Sequence, residues 1–313
     1  MQTLEELFNY DRALVFGIGG GGDIVGSVPT ARLLELHGVD VILGGIAFDR
    51  LPVDPMPGPR NLDHFEGIER ISQSVALLTS ETEFIDGASS TEMIVNQYTD
   101  RSVALLDVTG GVSGFKTGLE TACSELDIDL VVGVDAGGDV LATGDEPGLR
   151  SPLCDSIVLS SVNACNCPAA IGVFGYGSDG ELTQDELDDA ISRAARRSGL
   201  LGSWGLTPAT INELENLLDL VTTEASRLPV KAASGQLGTC SIRSDRRTLE
   251  LSAASTTTFY FEPGAIESTS EPATVVAGTD SHLTANRMLN EAGYVTELDR
   301  ELEQAEEQVT SDD

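Results

Sequence analysis

Four segments of the chain combine glycine with carboxylate or cationic side chains in ways that suit ligand chemistry. The first, Gly17-Ile18-Gly19-Gly20-Gly21-Gly22-Asp23, runs directly into a helical pattern. Consecutive glycines let backbone N–H groups approach an anion at the positive end of a helix, so Gly19, Gly20, Gly21, Gly22 and Asp23 are candidate ligand contacts. The second, Asp107 to Thr117, repeats the theme with Gly110, Gly111 and Lys116, one of only two lysines in the chain. An ammonium placed there suits a phosphate or a carboxylate. The third is the densest: Val134-Asp135-Ala136-Gly137-Gly138-Asp139, followed by Arg150 and Asp155. Carboxylates converging on one site hold Mg²⁺ or another divalent ion, bind ribose hydroxyls, or act as general bases. Asp135, Asp139 and Asp155 are therefore the candidate catalytic groups, with Asp135 and Asp139 the candidate metal ligands. Arg150 suits an ion pair or the anionic group of a substrate. The fourth, Phe174 to Glu181, offers Tyr176 to stack on a base or sugar and Asp179 as a further ligand contact.

Each loop taken singly also reads as a tight turn or cap, and with 51 acids in the chain coincidence is cheap. Four such loops following four strands favour one shared cleft, because ligands in open α/β sheets bind beyond the carboxyl ends of the strands. Familiar motifs fit less well. Gly17, Gly19 and Gly22 match the dinucleotide fingerprint, with Asp49 as the partner acid, but Gly44-Gly45 and Arg50-Leu-Pro-Val-Asp-Pro55 around it are atypical of a nicotinamide enzyme. Phe115 separates Gly114 from Lys116 and breaks the P-loop register. The histidines His37, His64 and His282 show no metal-ligand spacing, which argues against a zinc hydrolase. His64, in a Pro-rich loop, is the best of them for acid–base work.

The elements that must carry these loops follow from hydrophobic pattern. Strands are predicted at Ala13–Ile18, Val39–Ile46, Ser74–Leu78, Ser102–Asp107, Asp129–Val134 and Ile171–Phe174, most of them apolar on both faces as in a sheet covered on both sides. Helical spacing marks Ile24–His37, Ser90–Tyr98, Thr117–Leu126, Ser151–Val162 and His282–Ala292. The expected fold is α/β: a three-layer, Rossmann-like, mostly parallel sheet with helices on both faces. A helical excursion is expected over about 183–230, opened by the capping box Thr183-Gln-Asp-Glu186. Arg247–Ala253 and Thr256–Phe261 should add edge strands or a C-terminal hairpin. Residues 1–298 are taken as one domain and 299–313 as an acidic, frayed tail.

Composition narrows the partners. With 18 Lys+Arg against 51 Asp+Glu the formal charge is −33, a field that repels nucleic acid and anionic membranes. With 41% apolar and 22% charged residues the chain holds enough apolar material for a core. Acid excess with lysine nearly absent fits a halophile cytoplasm, since molar salt shortens the Debye length to about 3 Å and screens self-repulsion. No basic end plus apolar run opens the chain, so no signal peptide is expected, and no run approaches the about 18 apolar residues of a membrane span. Five scattered cysteines argue against a disulfide framework. Cys165-Asn-Cys167 is too close for a usual bridge, has no further Cys or His near it in sequence, and reads as small buried hydrophobes rather than metal ligands.

Three stretches together, Phe16-Gly-Ile-Gly-Gly-Gly-Gly-Asp23, Val134-Asp-Ala-Gly-Gly-Asp139 with Gly148-Leu-Arg-Ser-Pro-Leu-Cys-Asp155, and Phe174-Gly-Tyr-Gly-Ser-Asp-Gly-Glu-Leu182, resemble the archaeal and bacterial family called domain of unknown function 1152, over nearly the whole chain. That resemblance implies one α/β unit and brings no activity. The Asp135 loop also resembles the calcium loop of nucleoside hydrolases, departing from it by lacking an adjacent Asp pair. The leading expectation is a cytoplasmic enzyme acting on a small anionic metabolite, a nucleotide, ribosyl or phosphosugar compound, by metal-assisted hydrolysis or transfer at the C-terminal edge of the sheet. The alternatives are a non-catalytic metabolite-binding or regulatory protein using the same cleft, and a structural protein. The expected partner is a small-molecule ligand, with a homo-oligomer left open.

Overall fold

The computed structural model describes residues 1–51, 53–242 and 247–311. Its first half contains β1 (Arg12–Gly17), α1 (Asp23–Leu36), β2 (Asp40–Ile46), β3 (Phe65–Glu66), β4 (Glu69–Arg70), β5 (Val75–Leu77), β6 (Glu83–Phe84), α2 (Thr91–Tyr98), β7 (Val103–Leu106), α3 (Gly111–Glu125) and β8 (Leu130–Ala136). The second half contains α4 (Pro152–Ala164), β9 (Ala169–Phe174), α5 (Gln184–Arg196), β10 (Leu200–Gly205), α6 (Pro208–Leu218), α7 (Glu224–Ala233), β11 (Gly238–Ile242), β12 (Arg247–Leu251), β13 (Thr257–Phe261), α8 (Pro263–Glu267), α9 (Glu271–Val276), α10 (His282–Glu291) and α11 (Glu297–Ser311).

Nine strands form the central sheet in the order β10, β13, β9, β8, β1, β2, β7, β5, β4. The middle of it, β9 through β7, is parallel throughout. At one side β13 joins β9 and β10 joins β13, both antiparallel; at the other, β5 joins β7 and β4 joins β5, also antiparallel. The strand alternation sorts β1 into two cores. Leu14 and Phe16 pack with Phe115 and Leu119 of α3 and with Leu153 and Ile157 of α4. Ala13 and Val15 pack with Ile24 and Val28 of α1 and Leu214 of α6. This is the three-layer α/β arrangement the doubly apolar strands predict.

All six expected strands form, although β5 runs against its neighbour. Of the C-terminal segments, β11 and β12 pair antiparallel apart from the main sheet, while β13 enters that sheet between β9 and β10 rather than at its edge. The excursion over 183–230 is not wholly helical. Between α5 and α6 it contains β10, whose Leu-Leu-Gly-Ser-Trp-Gly sequence is glycine-rich, bulged between Leu200 and Gly202, and only half covered; such an edge strand leaves little apolar pattern. Helix α3 starts six residues before Thr117, at Gly111, and α8 and α9 carry no long helical pattern. Where composition leads one to expect a frayed acidic end, the chain forms α11, because Leu298 and Glu301 are buried. None of the described helices is long and apolar enough to cross a membrane.

Helix α2 carries a buried carboxylic acid against the sheet. Glu92 is 2% exposed, and its Oε1 lies where a side chain on Gly45 of β2 would stand. Its Oε2 has no hydrogen-bond partner. Burial, reinforced by the charge of Asp49, pushes the Glu92 carboxyl up to about 8. A raised acid favours folding while it stays protonated in both states, and that advantage is lost as pH climbs from its ordinary value near 4.5 toward 8. Glu92→Gln should therefore match the parent protein at about pH 5 and exceed it at about pH 8.5, by no more than about 1.4 kcal/mol per pH unit crossed. Urea unfolding at the two pH values checks this; a difference that does not grow with pH contradicts it.

Candidate functional site

Strand β1 lies between β2 and β8, and the chain builds outward from it in opposite directions. Loops leaving the carboxyl ends of β1 and β8 therefore diverge to opposite faces and leave a crevice between them. Into this crevice come the glycine loop that opens α1, the Asp135–Asp139 loop after β8, and the start of α4. The loop after β9 joins them from the neighbouring strand.

The crevice is filled by carboxylates. Asp135 is the penultimate residue of β8, with Oδ2 accepting from the Val140 amide at 3.2 Å. Asp139 follows a turn through Gly137 and Gly138, and its Oδ2 accepts from Ser151 Oγ at 3.1 Å. Asp155 projects from the first turn of α4. Oxygens of Asp135, Asp139 and Asp155 lie within 4.8 Å of one another, and so do oxygens of Asp139, Asp179 and Glu181. Asp139 belongs to both groups. All five side chains are buried. Asp23 stands beside them: its Oδ2 accepts from the Gly19 amide at 2.9 Å, and both this oxygen and Asp155 Oδ1 crowd the space where a Gly19 side chain would be.

Two oxygens in the cluster, Asp155 Oδ1 and Asp179 Oδ2, are buried with no hydrogen-bond partner. Burial pushes the Asp23 carboxyl up to about 7 against the pull of the Gly19 amide, and it pushes Asp179 up to about 8 with help from Glu181. Asp135, Asp139 and Asp155 rise well above the usual carboxylate range, first by burial and then by the charges of their neighbours. Two described arginines stand against them. Arg247 Nη1 meets Glu181 Oε1 at 3.1 Å. Arg50 lies over the Phe48 ring at 4.0 Å, donates to the Gly19 carbonyl at 3.3 Å, and keeps Nη1 buried without a partner.

The start of α4 is held from afar. Glu297 of α11 accepts from the Leu153 and Cys154 amides at 3.0 and 2.9 Å, occupying the helix terminus that would otherwise attract an anion. Glu181 accepts from the Ser151 amide at 3.0 Å and from its hydroxyl at 2.9 Å. A small cavity of about 10 Å³, lined by Asp139, Val140, Leu149, Pro152 and Asp155 among others, opens at the cluster; it is the size of one water or ion. Across Leu149 and Pro152 lies an open pocket of about 400 Å³ carrying Arg150 and Arg300, within the range of small-molecule sites.

The structure thus brings together Gly19, Asp23, Asp135, Asp139, Asp155 and Asp179 and places Arg150 in the adjoining pocket, whereas Gly20 and Gly21 lie against Phe48 and Gly22 against Thr223. Others stand elsewhere. Gly110 and Gly111 start α3 against the 279–281 turn, where the Ser113 amide donates to Thr279 O at 2.9 Å. Lys116 is a turn and more into α3 and pairs with Glu120 at 2.8 Å. Tyr176 is turned toward α5, its hydroxyl donating to Gln184 O and Asp188, both at 2.7 Å. Asp49 accepts from Thr91 at the start of α2, and His64 accepts from the Asn61 amide within its own turn. Sequence reasoning missed Arg50, Ser151, Glu181, Glu297 and Arg300 as site components. Arg50 follows β2 at the same rim and was open to discovery by strand position; Arg300 sits in the segment that composition assigns to the frayed tail, and Glu297 just before it.

A family described as "Protein of unknown function (DUF1152)" matches residues 14–305. No curated protein and no solved structure matches the chain.

Gly137 sets the spacing of the two carboxylate groups. It holds φ at 138°, and a β-carbon on it would stand 2.3 Å from Asp179 Cγ. Gly137→Ala must shift the Asp179 side chain or the turn itself, at a cost of about 1–3 kcal/mol. Thermal unfolding of this variant should show the loss; an unchanged melting temperature contradicts the close approach.

Proposed function

The chain belongs to the DUF1152 family, whose description assigns no activity, and from the geometry of its site we propose a cytoplasmic, metal-dependent enzyme acting on a small anionic metabolite. The observation that carries this reading is the pair of three-carboxylate groups sharing Asp139, with oxygens in each group within 4.8 Å. An all-oxygen, multiply acidic donor set suits a hard divalent cation such as Mg²⁺, Mn²⁺ or Ca²⁺. The unpartnered oxygens of Asp155 and Asp179 support the same assignment, since buried oxygens without hydrogen bonds are costly unless something fills their lone pairs. The cation would supply Lewis acidity and an acidified water. Arg150 and Arg300, in the pocket that shares Leu149 and Pro152 with the inner cavity, would hold the anionic group of a nucleotide, ribosyl phosphate or phosphosugar. Hydrolysis or group transfer is the chemistry such a pairing serves. The acid excess and scarcity of lysine support a salt-rich cytoplasm as its setting.

Mn²⁺ is the probe for the metal. The full chain should retain Mn²⁺ in electron paramagnetic resonance titrations, and Asp139→Asn should weaken that binding by roughly 100-fold, since it removes one charge from both groups. The cation-free variant should be at least as stable as the parent because a buried acid has been replaced by a neutral isostere. Retention of Mn²⁺ by Asp139→Asn rejects the site. For the anion, the Arg150→Gln/Arg300→Gln double variant should weaken pyrophosphate binding measured by calorimetry while leaving Mn²⁺ affinity unchanged; unaltered pyrophosphate binding removes the outer pocket from the proposal. Turnover of phosphate esters that survives Asp139→Asn would exclude metal assistance at this centre.

A further inference from the structure

The buried acids of the crevice fall into two triplets rather than one cluster. Asp135, Asp139 and Asp155 bring oxygens within 4.8 Å of one another, Asp139, Asp179 and Glu181 do the same, and among the described residues only Asp139 is common to both. A divalent cation that holds its oxygens at about 2.0–2.6 Å spans donors up to about 5 Å apart, so each triplet has the dimensions of one ion's shell. The turn between Asp135 and Asp139 sets the two side by side. Gly137 leaves no space for a side chain next to Asp179 Cγ, and this close approach brings the loop after β9 against the loop after β8.

Each triplet keeps an unfilled oxygen of its own. In the first, Asp155 is 5% exposed and holds Oδ1 without a hydrogen-bond partner; in the second, Asp179 is 6% exposed and holds Oδ2 without one. A cation at either position leaves the orphan of the other in place, and a buried oxygen without a partner is costly. Formal charge points the same way. With Asp23 set against Arg50, five acids remain, and Arg247 beside Glu181 answers one of them. Two divalent cations complete the balance, where a single one leaves two charges over.

We propose that the crevice takes two divalent cations bridged by Asp139, and that the ligand shared between them is the phosphoryl group of a phosphate ester or anhydride. The inference rests on the metal-dependent reading given above and narrows it, from nucleotide, ribosyl and phosphosugar compounds in general to cleavage of a P–O bond. Cations that share a carboxylate stand about 3.5–4 Å apart, a spacing that clamps the attacking and leaving oxygens of an in-line displacement at phosphorus. Arg150 joins this centre to the outer pocket: its amide donates to Glu181 Oε2 of the second triplet at 2.5 Å, and its side chain lines that pocket with Arg300. In hydrolysis the oxygen of water bonds to phosphorus as the bond to the leaving oxygen breaks. Of the two water protons, one ends on the leaving oxygen and one on the released phosphate, so water is the only co-reactant.

Mn²⁺ and inorganic phosphate are the probes, used in molar KCl to screen the surface carboxylates. Electron paramagnetic resonance of the full chain should show two equivalents of Mn²⁺ taken up, with a spin-coupled spectrum once the second is bound. Asp155→Asn and Asp179→Asn should each retain one equivalent and return the uncoupled six-line signal, while circular dichroism shows that both keep the fold. In calorimetry, phosphate should bind the two-Mn²⁺ chain at least about 10-fold tighter than Asp179→Asn carrying one Mn²⁺. Uptake of a single equivalent by the parent chain overturns the two-cation centre and leaves the metal-dependent reading standing; uptake of none overturns both. Two equivalents that persist in Asp179→Asn, or that never couple, overturn the bridged pair. Equal phosphate affinity in the one-cation and two-cation forms overturns the phosphoryl assignment.

Discussion

The carboxylates crowded beyond β1 and β8 cannot all be ionised where they stand. Two unit charges 4.8 Å apart repel by about 3 kcal/mol at an effective dielectric constant of 20, and desolvation adds to this for every member. Among the described residues, Arg50 and Arg247 are the cations set against the group, fewer than its acids. Their titration runs upward for Asp23, Asp135, Asp139, Asp155 and Asp179, the direction that burial and mutual repulsion dictate. Natural chains keep such an arrangement against its folding cost where it serves a ligand. Much of the surrounding architecture is concerned with holding the acids together: glycines that let Asp23, Asp155 and Asp179 approach closely, a serine shared by Asp139 and Glu181, and a helix start fixed in position by a distant glutamate.

The sheet was legible because its signal is dense. β1, β2, β7, β8 and β9 are apolar on both faces, as in a doubly covered parallel sheet, and the rule placing ligands past their carboxyl ends selects Asp23, Asp135, Asp139, Asp155 and Asp179, acids that the fold sets side by side. The same rule overreached after β7. It treated Gly110, Gly111 and Lys116 as part of the rim, but α3 begins at Gly111, so five residues of helix carry Lys116 away from the crevice toward Glu120. Tyr176 fails for a related reason: a residue in a loop at the right edge still has two directions to face, and its hydroxyl finds partners on α5. Strand position is read from pattern, whereas side-chain direction within a loop depends on contacts that no local window contains.

The contribution of α11 was hidden by composition. Acids dominate the segment and read as a solvated end, although Leu298, Leu302, Ala305 and Val309 recur at helical spacing, and one leucine and two glutamates make the contacts. Leu298 is buried, Glu297 satisfies two amides at the start of α4, and Glu301 accepts from the Gly58 amide at 3.0 Å. Arg300 donates to the Val295 carbonyl at 3.2 Å and lines the outer pocket. The acidic end is thus a clamp on the element that presents Asp155, and the geometry of the centre depends on residues about 140 positions downstream of it.

Charge composition and site chemistry then separate cleanly. In a chain carrying −33, most carboxylates face solvent and are replaceable, and the informative acids are the few that are buried together. The converse holds for cations: with lysine almost excluded, a retained lysine calls for a local cause. Lys116 answers to Glu120, whose Oε1 it meets at 2.8 Å and which also accepts from the Asn166 amide.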